Sequence, residues 1–430
     1  MQTKTRKLLL VQVAALGWDF LQQQAEPESS LRWSPLDPVF PAVTCTVQAS
    51  LRTALPPSRH GMIANGLYLR NLRKPMFWEQ SSALVDGERI WQRYRDQGHT
   101  VGMMFWQQSL GEDVDLLLSP KPIHTHSGRL IQDCYTQPHD LYAEICAGLG
   151  RRFNLMRYWG PLASHVVGEW IVDATVWVMR SEGHAPDLLC TYLPSLDYDL
   201  QRHGPDSRQA RTARMATLQQ IQQLKQAAEQ NGYDIVVVGD YAIESCGQGV
   251  GFPNRALHEQ GLFTTRIVKG RSYPDFHAAR AFAMVDHEVA HVYLQHGTRP
   301  DEVAPLLSAI PEVDEVLPGH QQDGLDHAHC GDLVLTAKPG CWFAYPWWDD
   351  TVQPPDYASH IDIHNKPGFD PCEIFWGWPP PSVSQNAYRI RGSHGRVGPG
   401  RQVAFASTAD LGGTPKSQLE LAELLKQRLV

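Results

Sequence analysis

A chain of 430 residues, 42% hydrophobic and 20% charged, is long enough for one large core or two domains, and this composition excludes intrinsic disorder. The net charge of -8 argues against nonspecific binding to a nucleic-acid polymer, and no apolar run is long enough to span a membrane. Eight cysteines without a CxxC pair argue against a zinc ribbon or a disulfide framework, and fit reduced thiols in a cytoplasmic protein.

The basic start before Leu8–Ala14 has the outline of a secretory leader. Gln12 interrupts the apolar run and no small-x-small cleavage site follows, so the stretch reads as a first buried strand. In "FPAVTCTVQAS" the spacing predicts a strand at Phe40–Val43 and a helix from about Gln48 to Leu55. Thr44 or Thr46 then serves as an N-cap, or as a hydroxyl placed where helix N–H groups stabilise an anion. "RIWQRYRDQGHTVGMMFW" predicts a helix stopped at Gly98 and a strand from Thr100 to Trp106. Residues 107–185 lack a comparable alternation of long strands and read as a helical cap, and the insert is bounded at about 71–185, with the α/β core at 1–70 and 186–430.

"DLLCTYLPSLDYD" is a buried strand with polar residues after it. "QARTARMATLQQIQQLKQAAEQNGYDIVVVGDYAI" is the clearest unit, an amphipathic helix, an Asn-Gly stop and the strand Asp234–Val238. "AFAMVDHEVAHVYL", "DEVAPLLSAIPEVDEVL" and "GDLVLTAKPGCWFAY" then read as strand, helix and strand continuing the same sheet. Alternating strands and helices predict a mostly parallel sheet covered on both faces. Thr44, Asp197 and Asp240 each fall just past the C-terminal end of a predicted strand, where open α/β sheets gather ligands.

Taken in order, "FPAVT", "LPPSRHGMIANG", "YLPSLDYDLQRHGP", "VVVGDYAI", "GDLVLTAKPG" and "RGSHG" resemble the alkaline phosphatase superfamily, in its type I phosphodiesterase/nucleotide pyrophosphatase branch. The resemblance implies a three-layer α/β/α sandwich with a mostly parallel central sheet and an inserted cap. It also implies one or two divalent ions, zinc first and Mn2+ or Mg2+ as alternatives, and Thr44 as a nucleophile that forms a phospho-enzyme. Asn65 would donate to a non-bridging oxygen. Asp197 and His394 match ligands of one ion, with Gln201 standing where the family has His and His203 nearby as the better zinc donor. For the other ion only Thr44 and Asp240 match. The first strand offers Gln12, and Tyr241 replaces a His. Asp362 and His364, in "ASHIDIHNKPGFDPCE", are candidate replacement ligands, and "DGLDHAHCGD" supplies a weaker set at Asp326, His327 and His329.

Trp106, Lys366, His124 and His126 are candidate substrate contacts. "VDHEVAH" lacks the HExxH order and reads as an ordinary strand start. Three functions follow from the resemblance: a metal-dependent hydrolase of a phosphodiester, pyrophosphate or phosphonate bond in a small molecule; a degenerate member that binds a phosphorylated metabolite or partner without turnover; and a phosphotransferase or mutase.

Overall fold

The structure is a computed structural model that describes residues 6–23, 31–127, 129–322, 324–349 and 353–430. Its centre is an eight-stranded sheet in the order Trp33–Leu36, Val403–Ser407, Tyr233–Gly239, Lys7–Val13, Leu188–Leu193, Val101–Met104, Leu116–Ser119 and Tyr135–Gln137. The five strands from Tyr233–Gly239 to Leu116–Ser119 run parallel, and the pairings beyond them on both sides are antiparallel.

Leu188–Leu193 and Tyr233–Gly239 are buried at every residue, and Lys7–Val13 at all but its first. That is the signature of a sheet covered on both faces, because successive side chains point to opposite sides. Helices supply the cover. Arg208–Gln230 buries Ala210, Ala213, Thr217, Ile221, Leu224 and Ala228 at three- and four-residue spacing, and Ser207 caps it by accepting from the Ala210 N–H at 3.0 Å. It packs on Val166–Arg180, while Thr44–Thr53 packs on Gln418–Arg428.

Three expectations need correction. Phe40–Val43 is not a strand: the Ala42 N–H goes to Gly395 O and the Val43 N–H to Pro41 O, so neither enters a ladder. The helix therefore begins four residues earlier than expected, at Thr44, directly after the extended Val43. The segment 281–337 does not continue the central sheet. It folds into a separate antiparallel sheet, in the order Ala281–Asp286, Val289–Leu294, Leu333–Ala337, Val313–Pro318, and "AFAMVDHEVAHVYL" is a hairpin that turns at His287 and Glu288. Finally, residues 71–185, expected as a cap, supply Val101–Met104, Leu116–Ser119 and Tyr135–Gln137 to the central sheet. The first of these was expected as a strand from Thr100 to Trp106, while Leu116–Ser119 and Tyr135–Gln137 are only four and three residues long, which hid the alternation beyond it.

Candidate active site

The parallel strands end at a common edge, and the chain leaves that edge through short loops carrying polar side chains. Past Leu193, Pro194 leads into the helix Ser195–His203, whose first turn holds Asp197 and whose next turn holds Gln201. Past Gly239 come Asp240 and Tyr241, both buried. Thr44 opens the facing helix, and His394 follows the short strand Gly392–Ser393. These residues surround the floor of a cavity of about 350 Å³, a size suited to a small-molecule ligand.

Asp240 is fully buried and organised on both oxygens. Its Oδ1 accepts the N–H groups of Ala15 at 3.0 Å and Tyr241 at 2.9 Å. Its Oδ2 accepts from Thr44 Oγ1 at 3.3 Å, and the Tyr192 hydroxyl lies 3.3 Å from the same Oγ1. Burial, then the neighbouring Asp197 charge, push the Asp240 carboxyl well above the usual carboxylate range. Asp197 accepts from Tyr241 Oη at 3.0 Å and Gln201 Nε2 at 2.6 Å, and burial pushes it up to about 6. The Tyr241 ring lies flat against His394, with centroids 3.4 Å apart. His394 donates from Nδ1 to Ala42 O at 2.8 Å, which leaves its Nε2 buried without a partner among the described residues.

Asn65 is held in place by three bonds. Its Oδ1 accepts the Cys45 N–H at 3.0 Å, and its N–H and Nδ2 both donate to Asp286, at 2.7 and 3.1 Å. A carboxamide has two N–H donors, so one remains for the cavity that Asn65 lines. Cys45 beside Thr44 is fully buried and burial pushes its thiol up to about 12, which leaves it inert as a nucleophile.

Of the residues singled out from sequence, Thr44, Asn65, Asp197, Gln201, Tyr241, Asp362, His364 and His394 line this cavity, as does His124, and Asp240 lies directly behind Thr44. The others do not. His203 is exposed at the far end of its helix, one and a half turns past Asp197, and Gln201 takes the place beside the carboxylate instead. Gln12 is buried inside the first strand, between Tyr192 and Val238, two residues short of the point where the chain reaches the site. Trp106 is a core residue whose Nε1 donates to Thr191 O at 3.2 Å. Lys366 is buried against Asp370 and Glu373, 2.8 and 2.6 Å away. His126 and the 326–329 motif lie outside the cavity lining, with His329 Nδ1 on Gly61 O.

Sequence reasoning missed His287, Tyr192, Tyr158 and Trp159, all of which line the cavity. The available signal for His287 was the Asp-His dipeptide at 286–287, set aside as a strand start.

These residues do not fit the pair of metal ions that the resemblance implies. At four of the positions where ligands were sought, the chain presents the amide of Gln12 buried inside the first strand, the phenol of Tyr241, the amide of Gln201 and the exposed imidazole of His203. The oxygens of Asp197 and Asp240 are engaged by protein donors. Among the described residues no group of three or more His, Cys, Asp or Glu side chains converges as an ion requires.

The family model for type I phosphodiesterase / nucleotide pyrophosphatase matches residues 10–370, and members of that family typically depend on divalent metal ions. Among solved structures, the phosphonoacetate hydrolase of Sinorhizobium meliloti 1021 in complex with phosphonoformate is 16% identical at a TM-score of 0.62, over 99% of this chain and 96% of that one. The murine ectonucleotide pyrophosphatase / phosphodiesterase 5 is 16% identical at 0.59, over 99% and 95%. Its human counterpart is 15% identical at 0.59, over 99% and 95%. At such identities the likeness is one of fold. No curated protein matches the sequence.

Proposed function

Because the chain belongs to the type I phosphodiesterase/nucleotide pyrophosphatase family, we propose that it hydrolyses a phosphodiester, pyrophosphate or phosphonate bond of a small molecule, with Thr44 as nucleophile. The observation that carries this reading is the Thr44–Asp240 hydrogen bond at the floor of the cavity. Tyr192 donates to Oγ1 while Oγ1 donates to Asp240, so one lone pair of the hydroxyl is left to face the ligand.

Asp240 suits the role of proton acceptor. Two backbone N–H groups hold Oδ1, which fixes Oδ2 toward Thr44, and a carboxyl whose affinity for protons is raised by burial is a stronger base when ionised. Thr44 Oγ1 would attack phosphorus as its proton passes to Oδ2, and the remaining N–H of Asn65 would hold a phosphoryl oxygen. No step is assigned to zinc or another metal, since the donor set does not suit the pair. The walls are aromatic, with Trp78, Tyr158, Trp159, Tyr198 and Phe369, and suit a ligand with a flat or apolar portion beside its phosphoryl group. The neighbouring structures hold phosphonoformate or, in the inactive murine protein, AMP, both small enough for this class of cavity.

Turnover of bis(p-nitrophenyl) phosphate, a pyrophosphate diester and phosphonoacetate by wild-type protein and Thr44→Ala tests the reading. A loss of about 1,000-fold or more in kcat with the fold intact is expected. Unchanged turnover would remove Thr44 from the chemistry. A second reading, a protein that binds such a ligand without turning it over, draws on Tyr241 and Gln201 spending their polar groups on Asp197. It predicts ligand-dependent thermal stabilisation with no turnover in the wild type.

A further inference from the structure

A band of exposed apolar side chains runs from the mouth of the cavity to one small hairpin. Met156 and Ile361 line the cavity and are also exposed, so they mark its mouth. Ile361 lies over Gly160, where an added Cβ would meet its Cδ1 at 2.5 Å, and the neighbouring Leu162 is exposed as well. Arg202 ties this loop to the next by donating to Gly160 O, Ala163 O and Ile374 O. Beyond Ile374 the chain doubles back, with Trp376 bridging Val383 and the Gly377 N–H bonded to Ser382 O at 2.8 Å. The Val383 N–H bonds Ser359 O at 2.8 Å, two residues before Ile361, which fixes the hairpin beside the mouth. At its tip Trp378 is 88% exposed, and Pro379, Pro380 and Pro381 follow it. Proline locks its own φ, so the tip keeps its shape with little entropy left to lose on docking. Trp376 and Tyr388 are exposed beside it, and a joined apolar surface of this kind marks an interaction site.

The charge on this surface names its occupant. In a chain of net charge -8, the stretch from Ile374 to Ala409 has no Asp or Glu and carries Arg389, Arg391, Arg396 and Arg401. Arg396 and Arg401 are paired, with Asp314 and Glu288. Arg389 and Arg391 are exposed and pair with no carboxylate among the described residues. Arg389 donates to Trp376 O at 3.0 Å and lies over the Phe375 ring. The carboxylates just upstream are engaged elsewhere, Asp370 and Glu373 by Lys366 and Asp362 in the cavity lining. We propose that this patch docks the protein on an anionic lipid surface, with Trp378 among the headgroups and Arg389 and Arg391 against their phosphates. Tryptophan favours that layer because its ring is apolar and its N–H polar, and each cation near an anionic leaflet adds to the attraction. A bound peptide would need a groove or a free sheet edge, and a side chain as bare as Trp378 has no groove walls around it. Docking in this way sets the mouth of the cavity against the lipid surface.

The test sediments the full chain with sucrose-loaded vesicles of phosphatidylcholine, with or without phosphatidylglycerol, at low and at raised salt. Wild type is expected to partition about 10-fold or more strongly onto the vesicles that contain phosphatidylglycerol, and to come off as the salt rises. Arg389→Gln combined with Arg391→Gln should remove that preference. Trp378→Ser changes only an exposed tip, so its melting temperature should match wild type while its binding falls about 10-fold. If Arg389→Gln loosens the hairpin that it anchors, Arg391→Gln alone carries the charge comparison. No binding by wild type, or equal binding by wild type and Trp378→Ser, would overturn the proposal. Two other occupants show themselves in the same preparation. Retention on immobilised polyglutamate without vesicle binding would assign the patch to an acidic polypeptide. A dimer in solution that Trp378→Ser dissolves, again without vesicle binding, would assign it to a second copy of this chain. Either result would overturn the lipid assignment.

Discussion

The ring of Tyr241 lies parallel to that of His394 within 1°, at 3.4 Å, while its hydroxyl donates to Asp197 at 3.0 Å. One side chain thus covers the imidazole and occupies one oxygen of the carboxylate, the two groups that the family resemblance would make co-ligands, while Gln201 occupies the other oxygen. The expected consequence is a metal stoichiometry below two. Protein incubated with zinc or manganese and desalted should carry fewer than two ions per chain by elemental analysis. Tyr241→His combined with Gln201→His should gain at least one. Two ions in the unaltered protein would show that the hydrogen bonds to Asp197 yield to a metal.

Buried histidines set an acid limit on stability. Burial, then the Arg52 charge, hold His60 down to about 3, and burial holds His291 down to about 4. Each is neutral in the folded protein and regains a pKa near 6.5 when unfolded, so below that pH the unfolded chain binds more protons. Stability therefore falls as pH drops from 6.5 toward 4, by about 2 kcal/mol per histidine at pH 5. Urea midpoints at pH 7 and pH 5 measure this. His60→Gln, which can keep a bond to Ser50 now made at 2.9 Å, should shrink the difference by about 2 kcal/mol. A midpoint that rose on acidification would contradict the sign.

Much of this was legible in the sequence, for physical reasons that also mark the limit. Asp197 and Asp240 could be placed because a parallel strand buried on both faces declares its end by the first polar residues after it, whereas Thr44 was placed after a strand that does not form. The Asn-Gly stop fixed the register of Tyr233–Gly239 in the same way, and hence of Asp240. Gln12 was misjudged because the polar residue in the first strand drew attention, while the chain stays paired one residue beyond Val13, through the Ala14 N–H and Leu193 O. His287 was illegible for a different reason. Its place depends on a hairpin from a second sheet meeting a loop more than a hundred residues later, and no local pattern encodes that meeting.

The loop roofing the cavity should depend on one buried cation. Lys366 is 1% exposed and bonds Asp370 and Glu373, while Glu373 also accepts Trp159 Nε1 at 2.6 Å and the Asp362 N–H at 2.9 Å. Trp159 and Asp362 both line the cavity. Lys366→Met removes the charge and strands two buried carboxylates, at a cost of about 3 to 5 kcal/mol in urea unfolding. A loss under about 1 kcal/mol would mean that the carboxylates reach solvent or protonate without penalty.

Cys45 follows Thr44 on the chain and Asp240 lies beside it in space, and they should answer oppositely to substitution. The thiol of Cys45 is buried, pushed up to about 12 and pointed toward Gln108 Nε2 at 3.2 Å, so it offers no thiolate to the cavity. Cys45→Ala should keep turnover of bis(p-nitrophenyl) phosphate within about threefold, and thiol alkylation of the native protein should leave activity intact. Asp240→Asn keeps the size of the side chain but cannot take the Thr44 proton, and kcat should fall by about 100- to 10,000-fold with KM little changed. A fall in both variants alike would mean that packing around the start of the Thr44–Thr53 helix, and not proton transfer to Asp240, controls the rate.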